Sequence, residues 1–308
     1  MGPGQKGNCP DPGRVERHLT VTAIIPVFNR RELIERSLRS VLAQTHPPQE
    51  LLVVDDASRD GTAEVVRGFF ARIQTQTKVS CRLILLPVNR GVSHARNVAA
   101  REASGEWLAF LDSDDEWLPN KLEWQKGKCG ENPAWPLIHG EEIWIRNGSF
   151  LNQKKIHKKG GGDQFERSLQ LCLISPSAAM IKKTVFTELG EFDADFPVCE
   201  DYDLWLKLTS LYEVGFVERP ILKKYGGHPD QLSHAFPAMD YWRIKSAARL
   251  YSLRPHLCEE KKLAILNNVI SKSEVLLKGY QKHQNFKHVE EISSLRQWAL
   301  KLRSAFTL

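Results

Sequence analysis

A chain of 308 residues that is 42% hydrophobic and 26% charged can bury a sizeable core, as one large domain or one domain plus an appendage, and its composition is that of an ordinary globular protein rather than a disordered or fibrous one. The formal net charge of +6 and pI near 8.9 suit a polyanion, an anionic membrane surface or a nucleotide phosphate without selecting among them. The six cysteines contain no Cys-x-x-Cys pair, so neither a zinc ribbon nor a disulfide scaffold is suggested and a reducing cytosol is the expected compartment; no run approaches the roughly 18 apolar residues of a membrane span.

The opening "MGPGQKGNCPDPGR" lacks the apolar core of a signal peptide, and residues 1–18 read as a disordered leader. From Leu19 the signals alternate. "LTVTAIIPVF" is an almost unbroken β-branched run, as expected of a strand buried on both faces of a parallel sheet. "RRELIERSLRSVLAQT" spaces Leu33, Ile34, Leu38, Val41 and Leu42 at helical intervals. "ELLVVDDAS" is a second strand, "RDGTAEVVRGFFARI" a helix, "CRLILLPV" a third strand, "NRGVSHARNVAAREA" a helix and "EWLAFLD" a fourth strand. This order predicts an α/β fold, a mostly parallel sheet with helices on both faces, whose ligands sit beyond the carboxyl ends of the strands.

After Asp115 the pattern loosens. "PLIHGEEIWIR" reads as a strand, "NQKKIHKKGGGD" as an exposed basic loop, and "SPSAAMIKKTVFTELGEF" as a strand leading into a short helix. "VCEDYDLWLKLTSLY" is a helix starting near Glu200, with Leu204, Leu206, Leu208 and Leu211 available for packing. "EVGFVERPILKKYGGH" gives a strand, a proline break and another short strand. Beyond Pro237 the chain is helical throughout, so the expected organisation is a leader (1–18), an α/β domain (19–236, with halves meeting near 116 and 117) and a C-terminal helical extension (237–308).

Polar residues recur where strands stop. Asp112, Asp114 and Asp115 crowd like charges that need a positive partner, and a hard divalent ion held by one or two carboxylates plus substrate phosphates would supply it. The plainer alternative is a helix start, with acids at the positive end of an "EWLPNKLEWQ" helix. Neither the stretch from Asp112 nor that from Asp56 fits an EF-hand, since Trp117 stands where the first needs glycine and Arg67 where the second needs glutamate. Of Asp55 and Asp56, one is expected to anchor the strand end and the other, Asp56, to accept from a base or ribose; Ser58 or Asp60 would cap the next helix. Arg96 could touch a nucleotide or equally form a surface salt bridge. Glu200, Asp201 and Asp203 offer a carboxylate base for a hydroxyl acceptor, or simply a helix N-terminus. His228 and His234 follow two glycines and could meet a metal or a phosphate oxygen.

Taken in order, "VTAIIPVFNR", "LLVVDDASRDGT", "NRGVSHARN", "GEWLAFLDSDD", "CEDYDLWLKL" and "GGHPDQLS" resemble the family 2 glycosyltransferases with the GT-A fold, from about Val21 to Ser233. The resemblance implies inverting transfer of a sugar from a nucleotide-diphosphate donor, usually a UDP-sugar, to a hydroxyl of a glycan, lipid-linked or other acceptor, assisted by Mn²⁺ or Mg²⁺, with no nucleic-acid partner. It maps the nucleotide contacts onto Pro26, Phe28, Asn29 and Asp56, with Arg96, Asp112 and Ser113 nearby; the metal onto Asp114 with Asp112 and His228; and the catalytic pair onto Asp201, as general base, and Glu200. The family's "GS" after the paired aspartates is Ala57–Ser58 here, and the "QxxRW" element of processive members is missing, which implies single addition. The helical tail falls outside the resemblance and is left three roles: a homodimer contact, docking at the inner face of a membrane, or core. Two rival readings remain, a catalytically inactive nucleotide-sugar binder and a metal-dependent phosphatase using the Asp-x-Asp element; the phosphatase nucleophile should follow the first strand, not the fourth.

Overall fold

The structure, a computed structural model, describes residues 19–227 and 238–306. The leader expected over residues 1–18, and both His228 and His234, lie outside the described residues.

In chain order β1 (Val21–Val27), α1 (Ile34–Leu42), β2 (Glu50–Asp55), α2 (Thr62–Ile73), β3 (Ser80–Leu85), α3 (Val92–Glu102) and β4 (Trp107–Phe110) form the expected alternation. β1 lies between β2 and β4, and β2 beside β3, all in parallel. Every residue of β1, β2 and β4 is buried, which is why these strands read as unbroken runs, whereas the edge strand β3 is only partly covered. Alternation divides the core by face. Val21, Ala23, Ile25 and Val27 pack with Ile34 and Leu38 of α1 and Phe69 of α2, while Ile24 faces Ala95 and Ala99 of α3.

Next come β5 (Glu116–Trp117), α4 (Lys121–Glu131), β6 (Leu137–Arg146), β7 (Ser149–Leu151), α5 (Phe165–Gln170), β8 (Met180–Lys182), α6 (Lys183–Glu188), α7 (Glu200–Thr209) and β9 (Gly215–Gly226). They extend the same sheet in the order β3-β2-β1-β4-β8-β6-β9-β5, with β7 hairpinned onto β6. Here β8 runs antiparallel to β4 and β6, β5 antiparallel to β9, and β6 parallel to β9.

Four local expectations change. Glu116 and Trp117 pair with Lys223 and Leu222 instead of opening a helix, and α4 starts only at Lys121, so the aspartates do not cap it. β9 is one strand through Pro220, because a bulge opposite Gly140–Glu142 absorbs the residue that cannot donate. Leu211 falls beyond α7 and is 44% exposed. The basic loop is exposed only in part, since Lys159 is buried.

The C-terminal chain is helical as expected: α8 (Asp240–Leu253), α9 (Glu259–Lys282) and α10 (Val289–Ser304). Tyr241, Ile244, Ile265 and Val269 bury against Phe165 of α5 and Tyr202 and Leu206 of α7. These helices therefore complete a core under the segment that begins with Glu200. No described helix is long and apolar enough to cross a membrane.

Candidate active site

The strand-end residues gather along one edge of the sheet. β1 places Pro26 in its buried interior, level with Val54, at a point where pairing with β4 has already ended at Ile24–Phe110. The missing N–H of Pro26 therefore breaks no ladder bond on that side. Phe28, just beyond, is 42% exposed, and Asn29 adopts φ +51, a left-handed conformation that asparagine tolerates. Asn29 donates its N–H to Ser58 Oγ at 2.8 Å and accepts from the Arg59 N–H through Oδ1 at 2.9 Å, tying the β1 and β2 loops together.

Of the two aspartates at the end of β2, Asp55 is the expected anchor, while Asp56 bonds backbone groups that the sequence did not point to. Asp55 accepts from the Ser58 N–H at 2.7 Å and anchors its own turn. Asp56 accepts from the backbone N–H of Gly91 at 2.7 Å and of Arg90 at 2.9 Å, so it holds the glycine loop that precedes α3. Of the proposed caps, Asp60 accepts from the Thr62 N–H at 3.0 Å at the start of α2, whereas Ser58 serves Asn29 instead.

The acidic stretch after β4 is neutralised from within the protein. Arg96, on α3, is buried, which excludes the surface salt bridge that was one of its two readings. Its Nη2 donates to Asp112 Oδ1 at 2.6 Å and its Nη1 to Glu200 Oε1 at 2.8 Å, and the guanidinium lies 5.1 Å from the centre of the Phe192 ring. One cation thus joins two acidic motifs from opposite halves of the chain. Burial opposes ionisation of Asp112, but Arg96 and Lys224 outweigh it and hold its carboxyl below the usual range. Burial, with Asp201 alongside, pushes Glu200 up to about 7 against the pull of Arg96.

Asp115 is turned inward. Its Oδ2 accepts from Ser177 Oγ at 2.7 Å and its Oδ1 from the Tyr225 N–H at 3.0 Å, while Ser177 Oγ accepts from the Asp112 N–H at 3.0 Å. Burial first, then the charge of Asp112, raises its carboxyl well above the ordinary value. Asp114 stays half-buried; Arg36 donates to its carbonyl and stacks 3.7 Å from the centre of the Tyr225 ring, fixing the loop. Ser113 is buried.

Asp201 is half-buried at the head of α7 and accepts from Cys172 Sγ at 3.4 Å. Cys199, directly before the helix, has φ +64, an uncommon conformation for a side chain with a Cβ and one met at functional sites. Asp203 belongs to the scaffold: it accepts from Ser246 Oγ of α8 at 2.8 Å and pairs with Lys207 at 2.6 Å.

Lys224 was missed in the sequence. Burial works against its charge, but Glu142, Asp115, Asp112 and Asp201 together raise it above the ordinary lysine value. Strand alternation was the available signal, since Lys223 pairs outward with Glu116 at 2.8 Å and its neighbour must face the other way. Reading it required knowing that β9 lies beside β5 and β6.

A divalent ion fits these residues in one way. Among the described residues no three histidine, cysteine, aspartate or glutamate side chains form a group able to hold a metal. Asp112 has given one oxygen to Arg96 and Asp115 has engaged both of its own. Two carboxylates, Asp114 and Asp112, are fewer than a metal cage needs and would suit only an ion that arrives with diphosphate oxygens completing its shell.

A mixed α/β sheet with acids from both halves at one strand edge is the layout of a GT-A glycosyltransferase fold, and solved structures agree. The chain aligns with S. aureus TarS 1-349, crystallised in complex with UDP-GlcNAc, at a TM-score of 0.64 and 17% identity over 90% of this chain and 92% of that chain. Among curated proteins it is 34% identical over 191 residues to the Escherichia coli UDP-Glc:alpha-D-GlcNAc-diphosphoundecaprenol beta-1,3-glucosyltransferase WfgD, covering 61% of this chain and 69% of that protein. It is 42% identical over 137 residues to the putative teichuronic acid biosynthesis glycosyltransferase TuaG of Bacillus subtilis, covering 44% of this chain and about half (52%) of that protein. The glycosyl transferase family 2 model matches residues 22–190, and the chain belongs to that family.

Proposed function

We propose that the chain moves a hexose from a UDP-sugar to a hydroxyl of a lipid-linked glycan, with inversion at the anomeric carbon. The observation that supports this reading is Arg96, whose two bonds hold Asp112 and Glu200 together and so tie the loop that carries Asp114 to the start of the helix that carries Asp201. The glucosyltransferase WfgD, named for UDP-glucose and a diphosphoundecaprenol acceptor, supports the donor and acceptor classes.

In this reading Pro26, Phe28, Asn29 and Asp56 hold the nucleoside, Asp56 with acceptor capacity left beyond its two amide partners. Lys224 faces the diphosphate, where its charge offsets that of the leaving group. Mn²⁺ or Mg²⁺, when bound by Asp114 and Asp112 with His228, would supply further charge neutralisation at the diphosphate. Asp201 takes the proton from the acceptor hydroxyl as the new glycosidic bond forms and the bond to the phosphate oxygen breaks, with the entering and leaving oxygens on opposite faces of the sugar. Arg96 and Glu200 touch neither reactant; they position the acids that do.

The test is release of UDP from UDP-sugars by the purified chain with Mn²⁺. Asp201→Asn should lower turnover by about 10²–10⁴-fold, the usual worth of a general base, while UDP still raises the melting temperature. Turnover unchanged in Asp201→Asn would remove the base assignment. No thermal response to any nucleotide would count against nucleotide-sugar transfer and binding alike, and a response with no UDP release would favour the inactive binder.

A further inference from the structure

β6 and β7 form a hairpin finger whose tip and following turn combine apolar exposure with an excess of positive charge. The turn is Asn147–Gly148, with φ +50 and +77 as a tight two-residue hairpin needs, and the pairs Trp144–Leu151, Ile145–Phe150 and Arg146–Ser149 stiffen it. Phe150 is 79% exposed, Ile156 66% and Leu151 43%. Single exposed apolar side chains are ordinary. Three within seven residues are a cluster, whereas the other large exposed ones are spread from Phe28 to Phe286.

The exposed charge of the segment itself has one sign, with the acids Glu141 and Glu142 at its root. Arg146, Lys154, Lys155 and Lys158 are exposed, and no aspartate or glutamate occurs from Ile143 to Gly162. The remaining lysine, Lys159, is withdrawn: it pairs with buried Glu142 at 2.6 Å and donates to the Leu173 carbonyl at 2.8 Å. Glu142 also accepts from Trp144 Nε1 at 2.8 Å, and Gln153 donates to its carbonyl at 2.8 Å. The root of the segment is therefore fixed in the fold while its apolar and basic side chains are left in water.

We infer that this finger seats the protein on an anionic lipid surface, with Phe150, Leu151 and Ile156 entering the headgroup boundary and the basic side chains meeting lipid phosphates. Register gives the placement a use. Trp144 lies beside Lys224 and Ile145 beside Tyr225, whose N–H bonds Asp115, so the finger grows from the strand next to the acidic edge of the sheet. This moves docking away from the C-terminal helices, most of whose apolar side chains pack on α5, on α7 and on one another. Only its use rests on a lipid-linked acceptor; binding itself is read with no sugar chemistry.

The experiment is co-sedimentation of the full chain with phosphatidylcholine vesicles and with vesicles containing phosphatidylglycerol, at about 0.1 M salt. Wild type should pellet with the anionic vesicles and much less with neutral ones. Lys154→Glu/Lys155→Glu/Lys158→Glu and, separately, Phe150→Ser/Ile156→Ser should each lower the partition coefficient tenfold or more with unchanged melting temperature. Lys278→Glu/Lys282→Glu/Lys287→Glu on and after α9 should not. Finger variants that bind like wild type, or loss of binding only in the α9 variant, would overturn the inference. So would analytical ultracentrifugation showing a dimer that Phe150→Ser/Ile156→Ser dissolves, with no vesicle binding, because a second copy would then be the occupant.

Discussion

The two halves of the sheet edge hold their carboxylates by different means. After β2, Asp56 is held by backbone N–H groups of Arg90 and Gly91, which belong to the next loop on the same parallel unit. After β4, Asp112 is held by a buried guanidinium shared with Glu200, 104 residues away from Arg96 in sequence, and Lys224 answers the remaining negative charge. Fixed dipoles cannot titrate or be exchanged by a single side-chain substitution, whereas a side-chain cation can. The first half is thus robust, and the second concentrates the molecule's electrostatic risk in a few residues.

The largest effect should follow removal of the shared cation. Arg96→Ala leaves Asp112 and Glu200 facing each other without their partner, and breaking a buried pair this way costs about 3–5 kcal/mol. Arg96→Lys should recover only part, since an ammonium lacks the fork that reaches both acids. Urea unfolding of the three proteins checks this. A loss under about 1 kcal/mol for Arg96→Ala would mean that both halves are equally robust.

Next in size are two pH effects of opposite sign. Glu142, between Lys159 and Ser175, is buried, yet Lys159 and Lys224 pull its pKa down to about 2 from 4.5. A depressed carboxyl contributes stability that is present above pH 4.5 and lost as pH falls toward 2, here about 3 kcal/mol. Glu200 has its pKa raised to about 7, so its contribution is present below pH 4.5 and lost as pH rises through 7. Relative to wild type, Glu200→Gln should therefore gain stability between pH 5 and 8, and Glu142→Gln should narrow its deficit below pH 4. Differences that stay flat across pH would place both carboxyls outside the coupled network.

The same contrast explains what the sequence could show. The parallel half was legible because each of its strands is buried on both faces and each crossover is local: β1, β2, β4 and their helices announce themselves by unbroken runs and 3.6-residue spacing. Asp55 was assignable as an anchor for the same reason, its partner Ser58 lying three residues on, whereas the bonds of Asp56 to the loop before α3 carry no signal of their own in the sequence. The second half depends on pairings between distant segments. β5 is two residues long and carries no periodic signal, and the Pro220 position makes sense only once the bulge against β6 is known. Arg96 stayed undecided between a nucleotide contact and a surface salt bridge because nothing near it in sequence shows that Glu200 comes within 2.8 Å. Lys224 went unnoticed because the carboxylates around it come from β6, the β4–β5 loop and α7.

The smallest effect should come from the backbone-held half, at Gly91. Its φ of +88 lies in a region that side chains rarely adopt, yet nothing stands within 4 Å of where a Cβ would go. Gly91→Ala therefore pays for conformation alone, of order 1–3 kcal/mol, with no steric clash added. The strain falls on the very N–H that Asp56 accepts at 2.7 Å, so the loop and the carboxylate should loosen together. We expect a modest fall in melting temperature accompanied by weaker UDP binding, and no change in the pH dependence that Glu200 sets. If Gly91→Ala lost stability but bound UDP as wild type does, Asp56 would be an anchor of the glycine loop and not a nucleoside contact, and the division of labour between the two halves would have to be redrawn.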